Sequence, residues 1–209
     1  LYWYDNNKRS LPWRNKCSLK QKEYFTLVSE FMLQQTQVKT VIPYFNNFFK
    51  NIPNLHALAR VGDAKLLKHW QGLGYYSRAK NLKKSAKLIV DNYNGRLPGN
   101  FEELKKLPGI GDYTASAILA IVFNQEIIPL DGNIERVLKR ILNLKTEEEI
   151  KKKNLHKQKK IFGETSRSND YVQALMEIGA LLCKPKNPYC DKCPITKNCL
   201  SFKRKDFEI

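Results

Sequence analysis

The sequence lacks any uninterrupted apolar run of the roughly 18 residues that a membrane-spanning helix requires. The nearest candidate, Leu119–Leu130, is interrupted by polar and acidic residues at 124–126. The first residues also lack the pattern of a signal peptide. We therefore predict neither a membrane span nor secretion. The first residue is Leu rather than Met, so whether the chain is trimmed stays open.

Acidic residues are scarce in this chain. It has 20 Asp and Glu against 37 Lys and Arg, which gives a formal net charge of +17 at pH 7. The acidic tracts are too few for an enzyme that acts on cationic substrates. The excess of positive charge favours a polyanionic partner such as nucleic acid. A lysine-rich proteome would produce the same bias, so both explanations stay open at this point.

The chain also lacks a convincing strand pattern and a solenoid repeat. Apolar residues instead recur at helical spacing, which predicts an all-α fold. The predicted helices are Gln21–Lys39, Tyr44–Phe49, Asp63–Trp70, Tyr75–Val90, Phe101–Leu107, Ile134–Leu142 and Tyr171–Cys183. A further, charge-dominated helix is predicted over Thr146–Lys160, because acidic residues there stand about four positions before basic ones.

The segment after Leu107 reads Pro-Gly-Ile-Gly-Asp. Pro108 disfavours helix at the residue before it. Gly109 and Gly111 allow positive φ in a tight hairpin, and Asp112 is a suitable N-cap for a helix that begins at Tyr113. The backbone N–H groups of such a hairpin, close to a helix N-terminus, suit a phosphate oxygen. An ordinary helix–helix turn fits the same residues.

Four of the five cysteines lie near the end of the chain, with a spacing of C-x6-C-x2-C-x5-C. They are Cys183, Cys190, Cys193 and Cys199. Without a secretory signal a disulfide framework is not expected, and four clustered thiolates suit Zn or an iron–sulfur cluster. The unequal spacing is not that of a zinc ribbon and favours the cluster, although Zn stays open. Cys17 stands outside the pattern and is expected to be a structural thiol.

These motifs together resemble the helix-hairpin-helix DNA glycosylases of the endonuclease III and MutY superfamily. The resemblance lies in Leu-Pro-Gly-Ile-Gly followed by Thr-Ala, in Asp131 twenty residues after Gly111, and in the cysteine spacing. Residues 29–38, which contain Ser-Glu and Met-Leu-Gln-Gln-Thr-Gln-Val, and the string Leu-Pro-Trp-Arg at 11–14 are similar to the MutY-type adenine glycosylases in particular. The similarity extends from Leu11 to Leu200.

The resemblance implies two helical lobes with DNA between them. One lobe would be 21–130, and the other would join 1–20 to 131–209 and hold a [4Fe–4S] cluster on the four cysteines. The protein would be a monomer, working where DNA is kept: the bacterial cytoplasm, or the nucleus or mitochondria of a eukaryote. Its substrate would be double-stranded DNA with adenine opposite 8-oxoguanine or guanine. The C-terminal domain with which relatives recognise 8-oxoguanine is not in this sequence.

Breaking an N-glycosidic bond requires protonation of the departing base and stabilisation of a positively charged sugar, which two carboxylates in different environments can provide. The resemblance gives the first role to Glu30, whose neighbours Val28, Phe31 and Leu33 could hold it protonated if burial raises its pKa. The alternative is an ordinary surface glutamate on an amphipathic helix.

The second role falls to Asp131, which would stay ionised and face the sugar cation electrostatically or as a transient covalent partner. Its alternative is an N-cap for the helix that begins near Ile134, and the two roles are compatible. Asn133 would position the substrate or Asp131. Tyr113 stands where bifunctional relatives carry a nucleophilic Lys, so we expect hydrolysis without a Schiff base and no efficient strand cleavage, with Tyr113 supporting the catalytic pair.

Extruding a base leaves a gap in the stack, which the family fills with side chains. Gln35 resembles the intercalating Gln, and one of Tyr75 and Tyr76 would stand beside the orphaned purine. Core packing is the alternative for both tyrosines. The full set of expected DNA contacts is Gln34, Gln35, Tyr75, Tyr76, Arg78, Gly109, Gly111, Lys184 and Lys186.

Two other functions fit the sequence. One is a thymine-removing mismatch glycosylase of the same fold, against which Glu30 argues. The other is a non-catalytic DNA-binding module stabilised by metal. For the lysines of the cysteine loop, solubility is the alternative to phosphate binding.

Overall fold

The computed structural model describes residues 1–146, 149 and 165–207, and these ranges contain helices but no strand. The all-α prediction is confirmed. None of the described helices has the length and apolar character needed to cross a membrane. Most of the predicted helix over Thr146–Lys160 lies outside the described residues.

The chain forms two compact units. We call Ser10–Val122 the hairpin unit, and Leu1–Arg9 together with Phe123–Ile209 the cysteine unit. The sequence had suggested that residues 10–20 belong with the C-terminal half. They belong to the hairpin unit because the short 3₁₀ turn Pro12–Arg14 packs on its helices, with Trp13 meeting Phe45 edge to face at 5.4 Å.

The hairpin unit contains seven α-helices in its described residues. In chain order they are α2 (Leu19–Leu33), α3 (Val38–Asn51), α4 (Leu55–Arg60), α5 (Asp63–Trp70), α6 (Ser77–Asn92), α7 (Phe101–Lys105) and α8 (Asp112–Phe123). Helix α2 is the centre of this unit, since its residues 23–32 are all buried. Near the start of α2, the carboxylate of Glu23 forms an ion pair with Arg96 at 2.5 Å and accepts a hydrogen bond from the backbone N–H of Leu97 at 3.0 Å.

The long helix predicted over Gln21–Lys39 is two helices, α2 and α3, separated by the loop at 34–37. The sequence predicted one helix because polar residues continue the helical pattern through this loop. The prediction was wrong because Gln35 has a left-handed backbone, with φ of 57°, which ends the helix. A new helix had been expected to begin near Pro43. That proline instead lies inside α3, where it costs one backbone hydrogen bond.

The cysteine unit contains α1 (Tyr2–Asn7), α9 (Gly132–Leu142), α10 (Ser168–Leu181) and α11 (Leu200–Arg204). Helices α9 and α10 approach closely at Gly179, where a Cβ would stand 3.0 Å from the carbonyl oxygen of Asn133. Arg9 binds the buried carboxylate of Glu177 with two hydrogen bonds of 2.8 and 2.9 Å. This pair fastens the N-terminal segment to α10.

Candidate functional site

The hairpin between α7 and α8 depends on one of its two glycines. Gly109 has φ of 82°, and a Cβ there would lie 2.7 Å from Cε1 of Phe31. Gly111 would also allow positive φ, but its φ is not positive. No atom stands within 4 Å of the place where a Cβ at Gly111 would be, so the backbone here faces open space.

Neighbouring helices hold the hairpin. Ser85 on α6 donates its hydroxyl to the carbonyl of Pro108 at 2.7 Å, and the side chain of Gln34 donates to the carbonyl of Gly109 at 3.2 Å. Asp112, expected as an N-cap, is instead the first residue of α8 and forms an ion pair with Lys105. Gln34 therefore connects the loop after α2 directly to the hairpin.

Glu30 lies in the last turns of α2 with only 6% of its surface exposed. Its neighbours Phe31 and Met32 are fully buried, and Val28 is 2% exposed. The alternative of an ordinary surface glutamate is therefore wrong. A carboxyl in such surroundings is removed from the water that would stabilise its charge.

Asp131 is the N-cap of α9, since its carboxylate accepts from the backbone N–H of Ile134 at 2.7 Å. Burial raises the pKa of Asp131 above its ordinary value, and the hydrogen bonds from Ile134 and Asn133 oppose this rise. The capping alternative is thus confirmed. Whether Tyr113 supports Asp131 stays a prediction.

Sequence reasoning missed Arg136, which lies next to this cap. Its guanidinium donates to Oδ1 of Asn133 at 2.8 Å, to the carbonyl of Gly179 at 2.8 Å and to the carbonyl of Cys183 at 2.7 Å. The beginning of α9 is thereby tied to the first cysteine of the terminal cluster. The spacing of three residues between Asn133 and Arg136 on a helix is the signal that could have found it.

Tyr75 and Tyr76 lie at the surface, with 62% and 44% of their areas exposed, so core packing is wrong for both. Tyr75 has a left-handed backbone with φ of 47°. Gln35 is exposed as well, with its own left-handed backbone. Gln35 and Tyr75 therefore both expose their side chains to solvent while their backbones are left-handed, a conformation that non-glycine residues disfavour.

Arg78 is not at the surface, where a direct DNA contact would place it. It is 7% exposed, and its terminal nitrogens donate to backbone carbonyls of the hairpin unit. Burial lowers the pKa of its guanidinium.

The four terminal cysteines line one small cavity between α9 and the loop that follows α10. Burial and then the nearby thiols of the other three raise the pKa of Cys190. Arg140 on α9 donates to Sγ of Cys183 at 3.5 Å, and its carbonyl accepts from the Cys199 thiol at 3.4 Å. Within the described part of the chain, no group of three or more Cys, His, Asp or Glu side chains is arranged so that it could hold a metal ion. Four thiols that line one cavity are nevertheless the donor set that a thiophilic centre requires.

The same loop is positively charged. Lys184 lies 4.8 Å and Lys192 6.0 Å from the ring centre of the exposed Tyr189, and Lys186 is exposed. A cationic surface with an aromatic ring suits a phosphate backbone.

Residues 28–160 match the family model described as "HhH-GPD superfamily base excision DNA repair protein". The chain belongs to this family. The matched range includes Glu30, the hairpin and Asp131, and it ends before the cysteine loop.

Curated relatives of this HhH-GPD protein carry the name adenine DNA glycosylase. The protein from Buchnera aphidicola subsp. Baizongia pistaciae is 43% identical over 211 residues, covering 100% of this chain and 59% of the relative. The human protein is 38% identical and covers 100% of this chain and 39% of the relative. The chain thus spans about three-fifths of the length of the bacterial relative.

Solved structures share the fold. A thermostable thymine-DNA glycosylase has a TM-score of 0.83 and 25% identity, covering 97% of this chain and 93% of the other. A non-covalent endonuclease III–DNA complex has a TM-score of 0.72 and 23% identity, covering 98% and 95%. The predicted superfamily resemblance is confirmed.

Proposed function

We propose that this chain is the catalytic part of a monofunctional DNA glycosylase that removes adenine paired with 8-oxoguanine or guanine. The observation that carries the proposal is the buried carboxyl of Glu30, in a helix-hairpin-helix chain whose relatives are named adenine DNA glycosylases. Its partner is double-stranded DNA, bound by a monomer.

The two carboxylates divide the chemistry. Glu30, removed from water by burial, acts as the general acid and delivers a proton to a ring nitrogen of the extruded adenine. The bond between C1′ of the sugar and the base then breaks, and the electron pair leaves with the neutral base. The carboxylate of Asp131 stabilises the positive sugar.

Water completes the reaction by adding hydroxide to C1′, and the proton that it releases restores the one that Glu30 gave to the base. Asn133, held by Arg136, orients Asp131 or the nucleotide. Tyr113 occupies the place where a Schiff-base lysine would attack, and a phenol cannot form that imine. The product is therefore an intact strand with an abasic site.

Three surfaces of the chain bind the duplex. The hairpin with Gly109 and Gly111 presents backbone N–H groups to a phosphate, and Lys184 and Lys186 add positive charge. Gln35, with Gln34 beside it, enters the stack, and one of Tyr75 and Tyr76 stands beside the orphaned purine.

The glycines of the hairpin make separable predictions. Gly109→Ala will destabilise the fold by at least about 1–2 kcal/mol, since it forces a left-handed alanine against Phe31. Gly111→Ala will leave the melting temperature unchanged but weaken DNA binding about tenfold, because its Cβ would keep a phosphate oxygen away from the backbone N–H groups and cost about one hydrogen bond to a charged group. Thermal unfolding and fluorescence anisotropy measure the two effects. Unaltered DNA affinity in Gly111→Ala would place the phosphate elsewhere.

The cysteines would hold a [4Fe–4S] cluster through Cys183, Cys190, Cys193 and Cys199. Hydrolysis moves no electrons, so the cluster would supply a rigid cross-link for the loop. Protein purified without oxygen should have a broad absorbance band at about 400 nm and contain about four iron atoms per chain. Cys199→Ser should lose both, whereas Cys17→Ser should keep both. A colourless sample with one Zn per chain would identify the metal as Zn.

Single-turnover base release from otherwise identical duplexes tests the substrate. We expect release of adenine from A·8-oxoguanine and A·G pairs and no release of thymine from T·G pairs. The 25% identical thymine-DNA glycosylase makes thymine removal the second candidate, and release from T·G alone would establish it.

A further inference from the structure

We propose that Arg78 is a positioning residue that locks the two DNA-inserting segments of the protein into one geometry. The segments are the loop at 34–37, which contains Gln35, and the turn at 72–75, which ends in Tyr75. The role in DNA rests on the proposed function, whereas the lock itself is a property of the free protein.

One terminal nitrogen of Arg78 holds the end of α2. Nη1 donates to the carbonyls of Phe31 and Met32 at 3.1 and 3.0 Å, and also to the carbonyl of Gln34. The last carbonyls of a helix have no donors within that helix, and a cation is favoured at this negative end of its dipole. Arg78 therefore caps the end of α2, whose last residue, Leu33, lies two positions before Gln35.

The other terminal nitrogen holds the second segment. Nη2 donates to the carbonyls of Leu73 and Gly74 at 3.0 and 3.2 Å, and to the hydroxyl of Thr36 at 3.1 Å. The planar guanidinium thus joins two pieces of chain that lie about forty residues apart in the sequence.

The backbone conformations fit this role. Gln35 and Tyr75 are both left-handed, with φ of 57° and 47°, and each directly follows a carbonyl that Arg78 binds. Such a backbone persists in non-glycine residues only where the surroundings over-determine it. Here the shared determinant is one buried side chain.

Arg78 also holds the side chain of Tyr75, through stacking. The guanidinium lies 5.6 Å from the ring centre of the fully buried Trp70 and 5.4 Å from that of Tyr75. An otherwise exposed tyrosine is thereby connected through Arg78 to the core. A lysine offers one compact ammonium group and can reproduce neither the fork nor the stacking.

Hydrogen–deuterium exchange of the DNA-free protein tests the lock. Arg78→Lys and Arg78→Met should accelerate amide exchange at 34–36 and 73–76 by about tenfold or more, the loss of roughly one charge-assisted hydrogen bond, with α4 unchanged. Arg60→Met, which removes the same charge from an exposed site, should exchange like the wild type. Wild-type exchange in both segments of Arg78→Lys would overturn the lock, even if Arg78→Met fails to fold.

Base excision tests the consequence for DNA. On an A·8-oxoguanine duplex Arg78→Lys should lose at least about tenfold in single-turnover rate, as misplaced positioning groups do. On adenine opposite an abasic site, where no pair must be broken, it should lose less than about twofold. Equal losses on both duplexes would refute positioning. A wild type that excises from neither duplex would refute the proposed function and leave the exchange result standing.

Discussion

Glu30→Gln will bind DNA normally and release almost no adenine. The amide has the shape of the protonated carboxyl but cannot donate a proton as an acid does, so the single-turnover rate should fall by about 10²–10⁴-fold, the contribution of general acid catalysis. Anisotropy with the same duplex should show an affinity within about threefold of wild type, because the substitution changes no buried charge if Glu30 is protonated.

The matched control lies on the same helix. Glu23 is also buried, but its carboxylate is bound by Arg96 and by the N–H of Leu97. Glu23→Gln should lower the melting temperature because it breaks a charge pair, while the folded fraction keeps its excision rate. Equal measurable rates for wild type and Glu30→Gln would remove Glu30 from the reaction, and no base release by either would leave a DNA-binding module without catalysis.

Asp131→Asn will separate the structural from the chemical role of the cap. Asparagine accepts the hydrogen bond from Ile134 as well as aspartate does, so the melting temperature should not change. The negative charge is lost, however, and the excision rate should fall about 10²–10³-fold, as when a preorganised electrostatic partner is removed. Asp131→Ala, by contrast, should also lose about 1 kcal/mol of stability.

The pH dependence adds a signature for the same residue. Burial raises the pKa of Asp131, so its ionised form is lost at a higher pH than for an ordinary aspartate. The acid limb of the wild-type rate profile should therefore lie above the usual aspartate range and be absent from Asp131→Asn. An unchanged limb in the variant would assign it to another group.

The local features of this fold could be predicted from sequence. Helix α5 has the bounds that its periodicity predicted, and Asp131 caps the helix that its position suggested. These features depend on residues within one or two turns. The same is true of Gly109, where a proline and a glycine together specify a tight hairpin.

Features that depend on distant contacts were not predictable. The end of α2 at Leu33 is not marked by a proline or glycine in the sequence. It is held instead by Arg78, which lies on another helix. For the same reason Arg78 looked like a DNA contact and Arg136 went unnoticed. A guanidinium can bind phosphates or backbone carbonyls, and only the tertiary fold determines which of them it contacts.

The composition of the cysteine unit affects how the chain is made. The ribosome completes the hairpin unit first, as one continuous stretch, and that stretch can fold while synthesis goes on. The other unit needs residues from both sides of the hairpin unit in sequence: Asp5 pairs with Arg167, and Arg9 with Glu177. Its closure therefore waits until the residues after the hairpin unit have emerged from the ribosome. A nascent chain stalled before Arg167 would hold a complete hairpin unit but neither of these two ion pairs.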